Sequence, residues 1–267
     1  MRVLLAIIVI SVSGGSVFCN YGCEAMANTQ PVVLVHGILG WGPKEMDGFN
    51  YWGMATKVQC PLPLFEASVG TISSSHDRAC ELFAQIKGTK VDYGESHSRS
   101  AGHERYGVDY TKGLYKEWSE ANPIHLVGHS MGAPTIRMLQ YLLQQDFWEQ
   151  GTNENWIKSV TCISGVLNGS TLTYMLGCNE ETGLLNEPIG RFLSEGLKYF
   201  ASIESSQTEC FYDFDVKHWK LVRQKNESLR DFIIKIENSK LFNGKDNAAY
   251  DLTVQALLVS CHINYNT

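Results

Sequence analysis

Apolar residues follow two different patterns along this chain. Four short runs rich in apolar residues, of which the first is fully apolar, are bounded by glycine, proline or polar residues, which is typical of strands in a parallel sheet. They are residues 31–35, 64–69, 124–127 and 159–164. Two other stretches, 77–86 and 133–144, repeat apolar residues at helical spacing. They predict helices with one face on the sheet.

Alternation of strands and helices predicts an α/β fold with a mostly parallel sheet flanked by helices. Beyond residue 165 the strand pattern fades, and residues 182–203 and 227–241 are predicted helices with no strand after them. We therefore expect one domain over residues 20–267 that lacks the last strands of its sheet. A chain of 267 residues is long enough to bury a sizeable core without disulfide bonds.

Charge and the N-terminal segment limit the class of protein. The net charge of −6 provides no basic surface, which excludes typical nucleic-acid binders. Residues 1–19 have the pattern of a signal peptide, in which Arg2 precedes an apolar run and then small residues. This predicts a secreted, soluble mature protein, with an uncleaved anchor as the alternative. The apolar run is too short to cross a bilayer unaided.

Eight cysteines are compatible with an oxidising, extracellular location. Cys80 and Cys162 lie on apolar faces and are predicted to be buried free thiols. Cys178 and Cys210 flank a polar segment and are candidates for a disulfide, although the sequence does not fix the pairing.

The most informative motif is Gly-His-Ser-Met-Gly over residues 128–132, between an apolar strand and a helix. This order is typical of a nucleophile elbow, a sharp turn that presents a serine hydroxyl above the end of a sheet. Ser130 is the candidate nucleophile, and it needs a histidine to accept its proton. The backbone amides of Ile38, after the first strand, and of Met131 are the candidate oxyanion hole. The alternative is an ordinary serine in a strand-to-helix turn.

A second group of candidate residues is Asp77, His97 and His103, which are separated by 20 and 6 residues. Two histidines and a carboxylate could bind zinc if a fourth ligand came from elsewhere in the fold. On spacing alone, unrelated surface histidines are the commoner explanation.

Several segments together resemble the thermoalkalophilic bacterial lipases and their animal relatives. The similar segments are residues 31–53, residues 73–107, the elbow, the Tyr-Asp-Phe at 212–214 and the DNAAYDLTV segment at 246–254. They occur in the same order and cover about residues 31–255. The long segment 73–107 is far more specific than the five-residue elbow.

The resemblance implies an α/β-hydrolase fold and an enzyme that cleaves ester bonds of acylglycerols or other lipids through Ser130. Such an enzyme would make transient contact with a lipid interface. It also implies a structural Zn²⁺ held by Asp77, His97, His103 and Asp246, which would attach an insertion outside the core to the helix-rich region that covers the active site. Four protein ligands leave no open position for a reactive water. An amphipathic stretch at 183–205 is a candidate lid, or else an ordinary core-facing helix.

The resemblance ends after Val254. In the family, the catalytic aspartate and histidine and the Ca²⁺ ligands lie in a C-terminal segment that has no counterpart here. His262 is the remaining candidate for a base. The alternative to an enzyme is therefore a truncated isoform or a catalytically inactive zinc-bound lipase-like protein that binds lipid or another protein.

Overall fold

The computed structural model describes residues 30–57, 62–175, 178–184, 213–224 and 226–256. Several predictions fall outside these ranges and stay predictions. They are the signal peptide at 1–19, most of the helix at 182–203 with the candidate lid, and the residues Cys210 and His262.

Six strands form in the described part of the chain: β1 (Val32–Val35), β2 (Leu64–Ala67), β3 (Lys90–Asp92), β4 (Tyr106–Asp109), β5 (Ile124–His129) and β6 (Ile157–Ile163). The four predicted apolar runs become β1, β2, β5 and β6, which confirms the predicted sheet. They pair in parallel in the order β2-β1-β5-β6. Strands β3 and β4 form a separate antiparallel pair.

The helices in the same residues are α1 (Ser75–Lys87), α2 (Glu95–Ala101), α3 (Gly132–Gln144), α4 (Leu172–Met175), α5 (Leu229–Glu237), α6 (Lys240–Asn243) and α7 (Ala248–Asp251). Short 3-10 helices span Met46–Gly48, Gly53–Lys57, Glu154–Trp156 and Lys217–Trp219. The predicted helix at 227–241 is divided into two helices. The first ends at Glu237, and the second begins at Lys240 with Ser239 as its N-cap residue.

Helix α1 begins and ends on local signals in the sequence. The Ser74 side chain accepts a hydrogen bond from the Asp77 amide at the first turn, and Gly88 ends the helix in the left-handed conformation. Along its length, α1 buries most of its side chains and contacts both α3 and the sheet. This burial fixes the position of the first turn of α1, which carries Asp77, one of the candidate metal ligands.

Two of the three apolar clusters in the described residues connect the sheet to the rest of the fold. The main core joins the sheet to α1 and α3 through buried side chains such as Val33, Phe83 and Leu139. A smaller core joins Ile72 to side chains that follow residue 213, including Phe214, Phe232 and Leu241. Leu39, in the loop after β1, also packs against the smaller core. The segments after residue 213 are thereby held close to the carboxyl end of β1.

The prediction that Cys162 is buried is wrong, whereas the prediction for Cys80 is confirmed. Cys162 lies on β6, which within the described residues pairs with β5 alone and has mostly exposed side chains. An apolar run cannot show whether its strand lies inside a sheet or at its edge. Cys178 is buried. No helix among the described residues has both the length and the hydropathy needed to span a membrane.

Alkylation of the thiols tests the exposed position of β6. We expect N-ethylmaleimide at neutral pH to modify Cys162 at least about ten times faster than Cys80, because only an accessible thiol reacts. Burial also raises the pKa of the Cys80 thiol well above its ordinary value. Peptide mass spectrometry against time measures both rates in one sample. Equal rates in the folded protein would contradict the placement of β6, and denaturant should abolish the difference.

Candidate active site and metal centre

The turn from β5 into α3 is a strained backbone structure that only glycine allows at two positions. Ser130 has a φ of 52°, in the left-handed region that side chains disfavour. A Cβ on Gly128 would lie 2.5 Å from the carbonyl carbon of Gly132, and one on Gly132 would lie 2.1 Å from the carbonyl oxygen of Val35. Real Cβ atoms do not come this close to backbone, so glycine is required at both sites. This is the geometry expected of a nucleophile elbow.

Neighbouring strands hold Ser130 on two sides. Its backbone N–H donates to the Ile163 carbonyl at 3.0 Å, at the end of β6. A Cβ on Gly37 would lie 2.9 Å from the Ser130 Cβ, so the loop after β1 lies directly against the serine. Within the described residues, the Ser130 hydroxyl has no hydrogen-bond partner and is available to a substrate and a base.

The two predicted oxyanion-hole residues lie together beside this serine. The Ile38 side chain packs in the same small apolar cluster as Met131, with Ala248 and Leu252. Both backbone N–H groups lack a partner among the described residues, whereas the amides flanking Ile38 are bonded. Gly37 N–H donates to Tyr51 Oη at 3.1 Å, and Leu39 N–H donates to the Thr71 carbonyl at 2.9 Å. Their role as an oxyanion hole stays a prediction.

His36 is a buried structural side chain. Burial, with a further contribution from Arg78, lowers the pKa of His36 to about 3, so the ring is neutral. Val69 N–H donates to Nε2 at 3.2 Å, which requires the hydrogen to be on Nδ1. Nδ1 then donates to the Gly37 carbonyl at 2.9 Å. Because both nitrogens are committed, His36 cannot accept the Ser130 proton.

One ring nitrogen of His129 is likewise occupied by another partner. Its Nδ1 lies 2.5 Å from Tyr51 Oη, and burial lowers the pKa of the ring. The tautomer of His129 decides which of the two groups donates, and in either tautomer Tyr51 occupies Nδ1. No histidine of the described segments is hydrogen-bonded to Ser130 Oγ. A base for Ser130 would therefore have to come from another part of the protein.

The four predicted metal ligands converge on one point. One ligand atom from each of Asp77, His97, His103 and Asp246 lies within 4.8 Å of every other. Asp77 comes from the first turn of α1, the two histidines from α2 and just beyond it, and Asp246 from the turn before α7. Asp77 Oδ1 is 3.0 Å from His97 Nε2, and Asp246 Oδ2 is 3.2 Å from His103 Nε2. The structure thus joins Asp246 to the local group that spacing suggested.

Unsatisfied atoms indicate that these residues fit a cation. His103 Nε2 and Asp246 Oδ2 are buried without a hydrogen-bond partner, although they are close together. Leaving such atoms unpaired costs about 1–3 kcal/mol each. The Glu104 carbonyl accepts a hydrogen bond from His103 Nδ1 at 2.8 Å, so Nε2 is the nitrogen that could bind a cation once it carries no proton. Two imidazole nitrogens and two carboxylates form a possible metal site whose donor set is compatible with zinc.

Protons occupy the same group of side chains in the absence of a metal. Burial alone would raise the pKa of Asp77, but hydrogen bonds from His218 and His97 lower it well below its ordinary value. Burial alone would lower the pKa of His97, but Asp246 and Asp77 raise it to about 10. A divalent cation must displace these protons, so metal uptake at neutral pH should release protons.

Sequence reasoning missed His218, a buried neighbour of the candidate metal ligands. Its Nε2 lies 3.0 Å from Asp77 Oδ2, and its Nδ1 lies 3.2 Å from Tyr93 Oη. Tyr93 in turn donates to Glu81 Oε1 at 3.0 Å. This series of hydrogen bonds orients the Asp77 carboxylate through its Oδ2 atom. The one signal in the sequence was that His218 follows the Tyr-Asp-Phe segment at 212–214, which is part of the family resemblance.

Replacing the elbow glycine tests the close backbone packing. We expect Gly132→Ala to lower the free energy of unfolding by about 3 kcal/mol, because its Cβ must displace the Val35 carbonyl. Gly48→Ala is the control. Gly48 has a φ of +79° but open space around it, so only backbone strain of about 1 kcal/mol applies. Urea denaturation measures both, and equal losses would contradict the proposed packing.

Comparisons with known proteins agree with this geometry. The family model described as "Lipase-like, C-terminal domain" matches residues 28–267. A lipase from Staphylococcus epidermidis is 35% identical over 85% of this chain and 34% of its own length. A lipase from Staphylococcus hyicus is 35% identical over 86% of this chain and 37% of its own length. The chain thus spans about a third of the length of these relatives.

Solved structures show the same fold. Lipase 1 from Pelosinus fermentans superposes with a TM-score of 0.73 at 35% identity and covers 87% of this chain and 64% of that one. EstA from Clostridium botulinum gives 0.71 at 35% identity, with 86% and 56% covered. These similarities and the parallel sheet flanked by helices confirm the α/β-hydrolase fold. The chain belongs to the bacterial lipase family that this lipase-like domain defines.

Proposed function

We propose that this chain is the nucleophile-bearing domain of a secreted serine hydrolase that cleaves acyl esters of lipids. The observation that carries the proposal is the position of Ser130. It lies at a strained elbow, its hydroxyl is free within the described residues, and the unbonded amides of Ile38 and Met131 lie beside it. The relatives named as lipases support the same reaction class.

Each part of this site has a distinct chemical task. Ser130 Oγ attacks the ester carbonyl carbon, and the negative charge that develops on the carbonyl oxygen is stabilised by the Ile38 and Met131 N–H groups. The family resemblance supplies the other half of the machinery, a histidine that accepts the serine proton and an aspartate that orients it. His262 is the candidate base within this chain.

Apolar residues around the elbow favour a lipid ester over a polar one. Val166 packs against the Met131 cluster and its N–H approaches the Ser130 carbonyl at 3.5 Å. Leu167 and Leu172, which follow it, are exposed at 41% and 53%. An acylglycerol presented at a lipid surface would cover such side chains, and the predicted signal peptide at residues 1–19 would direct the protein to secretion.

We further propose that the metal is a structural Zn²⁺ held by Asp77, His97, His103 and Asp246. With four protein ligands it would have no open position, so its task is to stabilise the fold. It would join α1, α2 and the turn before α7. Asp251 of α7 also accepts the Ser75 N–H at 2.5 Å, which brings α7 to the same end of α1. The Ca²⁺ site of the family forms no part of this proposal.

One observation favours a second candidate function. His36 and His129, the histidines that lie next to the elbow, are both committed to other partners. Without a base, the same fold would be a catalytically inactive, zinc-bound lipase-like protein that binds lipid or another protein. The two candidates differ in turnover and share the metal site.

Ester hydrolysis by the chain separates the two candidates. We expect wild-type protein to release p-nitrophenol from p-nitrophenyl butyrate and Ser130→Ala to lower kcat by at least about 10⁴-fold, because the nucleophile is lost. Ser159→Ala, on the exposed strand β6, is the control and should keep its activity. Turnover that survives Ser130→Ala would refute Ser130 as the nucleophile. A folded protein without serine-dependent turnover would support the inactive binder instead.

Metal removal tests the structural role of zinc. Free zinc at about 1,000 times its Kd adds about 4 kcal/mol to stability. For a domain of this size, that corresponds to roughly 10 °C in Tm. We therefore expect a chelator to lower Tm by this amount and zinc alone to restore it, with weaker binding as pH falls because protons compete for the ligands.

Variants of the ligands complete the zinc experiment. His103→Gln should bind no zinc in elemental analysis and should lose the response of Tm to the chelator. His125→Gln, on β5 and outside the ligand group, should keep both. An unchanged Tm after complete metal removal from wild-type protein would show that the metal has no structural role.

A further inference from the structure

We infer that Arg78 is a positioning residue that holds both halves of the oxyanion hole in register, an inference that rests on the proposed ester hydrolysis. Arg78 is completely buried on α1 and makes hydrogen bonds to three separate segments. Its Nη2 donates to the His36 carbonyl at 2.5 Å, its Nη1 to the Gly70 carbonyl at 2.6 Å, and its Nε to Thr135 Oγ1 at 2.9 Å. These acceptors follow β1, follow β2 and lie in the first turns of α3.

On the β1 side, Arg78 holds the peptide unit that precedes the Ile38 amide. The His36 carbonyl and the Gly37 N–H are the two ends of one planar peptide. Arg78 binds the carbonyl end, and Tyr51 Oη binds the N–H end at 3.1 Å. This fixes the plane of the peptide, while the next carbonyl, that of Gly37, accepts from His36 Nδ1. The direction of the Ile38 N–H follows from both.

On the α3 side, Arg78 acts through Thr135. The Thr135 hydroxyl donates its single hydrogen to the Met131 carbonyl at 2.9 Å and accepts from Arg78 Nε. The guanidinium has no acceptor capacity, so the direction of these bonds is fixed by chemistry. Arg78 therefore connects Met131, one candidate oxyanion donor, to the loop after β1 that carries Ile38, the other candidate donor.

Only a guanidinium can make this connection. Its donors project as a planar fork, whereas a lysine ammonium is a single point on a flexible chain and cannot reach three separated acceptors in fixed directions. Arg78→Lys keeps the charge and most of the apolar stem. It therefore removes the geometry with little change in volume or net charge.

The experiment compares Arg78→Lys with Arg105→Lys in the full chain. Arg105 is the matched control, because it binds Asp92 with two hydrogen bonds at 2.9 and 2.8 Å beside β3 and β4. We expect Arg78→Lys to lower kcat for p-nitrophenyl butyrate about 100-fold with KM changed less than about threefold, since one misplaced oxyanion donor has such an effect. Arg105→Lys should change neither. A folded Arg78→Lys protein with wild-type kcat would overturn the inference.

A second readout does not depend on turnover. The backbone ¹H–¹⁵N resonances of Ile38 and Met131 should shift in Arg78→Lys and stay in place in Arg105→Lys. If wild-type protein has no serine-dependent turnover, the proposed hydrolysis fails for this chain while these resonances still decide whether Arg78 positions the two amides. Unchanged resonances at both residues would refute the positioning role.

If Arg78→Lys does not fold, a third variant still tests the inference. Thr135→Val keeps the shape of the side chain and removes the hydroxyl between Arg78 and Met131. We expect it to shift the Met131 resonance and leave that of Ile38 in place, because the bond to the His36 carbonyl remains. Leu139→Ala, in the main core, serves as a control for lost stability alone. Equal shifts of the Met131 resonance in Thr135→Val and Leu139→Ala would contradict the inference.

Discussion

The site depends on the contact between the backbone of α3 and the end of β1. Gly132 lies so close to the Val35 carbonyl that a single methyl group would not fit between them. This contact forces the tight turn after β5 and with it the left-handed backbone of Ser130, which costs about 1–3 kcal/mol. It also places the loop after β1 against the serine, and this loop carries the Ile38 amide. The left-handed turn at Ser130, the candidate nucleophile, and the position of the loop with its candidate oxyanion donor thus follow from one packing contact.

Helix α1 connects this turn to the candidate metal centre through two consecutive residues. Asp77 projects into the ligand cluster, whereas Arg78 projects toward the loops that surround the elbow. Both are buried charges, and buried charges persist only where several partners compensate for the lost hydration. Asp77 is compensated by histidines, and Arg78 by two carbonyl oxygens and a hydroxyl. A metal that stabilises the first turn of α1 would therefore also fix the base of the guanidinium.

Local features of the sequence predicted part of this arrangement, and contacts between distant segments explain the rest. The elbow at Ser130 was predictable because strand, glycines and helix are consecutive. Asp246 needed the family resemblance, because it follows His103 by 143 residues. The sequence did not indicate the roles of His218, Tyr51 and Arg78, because their hydrogen-bond partners are distant in sequence and become neighbours only in the folded protein. Cys162 was placed wrongly because hydrophobic periodicity identifies a strand and not its place in the sheet.

The commitments of the nearby histidines limit how Ser130 could be activated. His36 is locked in one tautomer by Val69 and Gly37, and His129 is bonded to Tyr51. Releasing His36 would break its bond to the Gly37 carbonyl, and releasing His129 would remove a partner of Tyr51, whose hydroxyl accepts the Gly37 N–H. A base recruited from these residues would therefore damage the oxyanion hole that it must work with. If Ser130 is the nucleophile, as we propose, its base would have to come from a segment that takes no part in holding this loop.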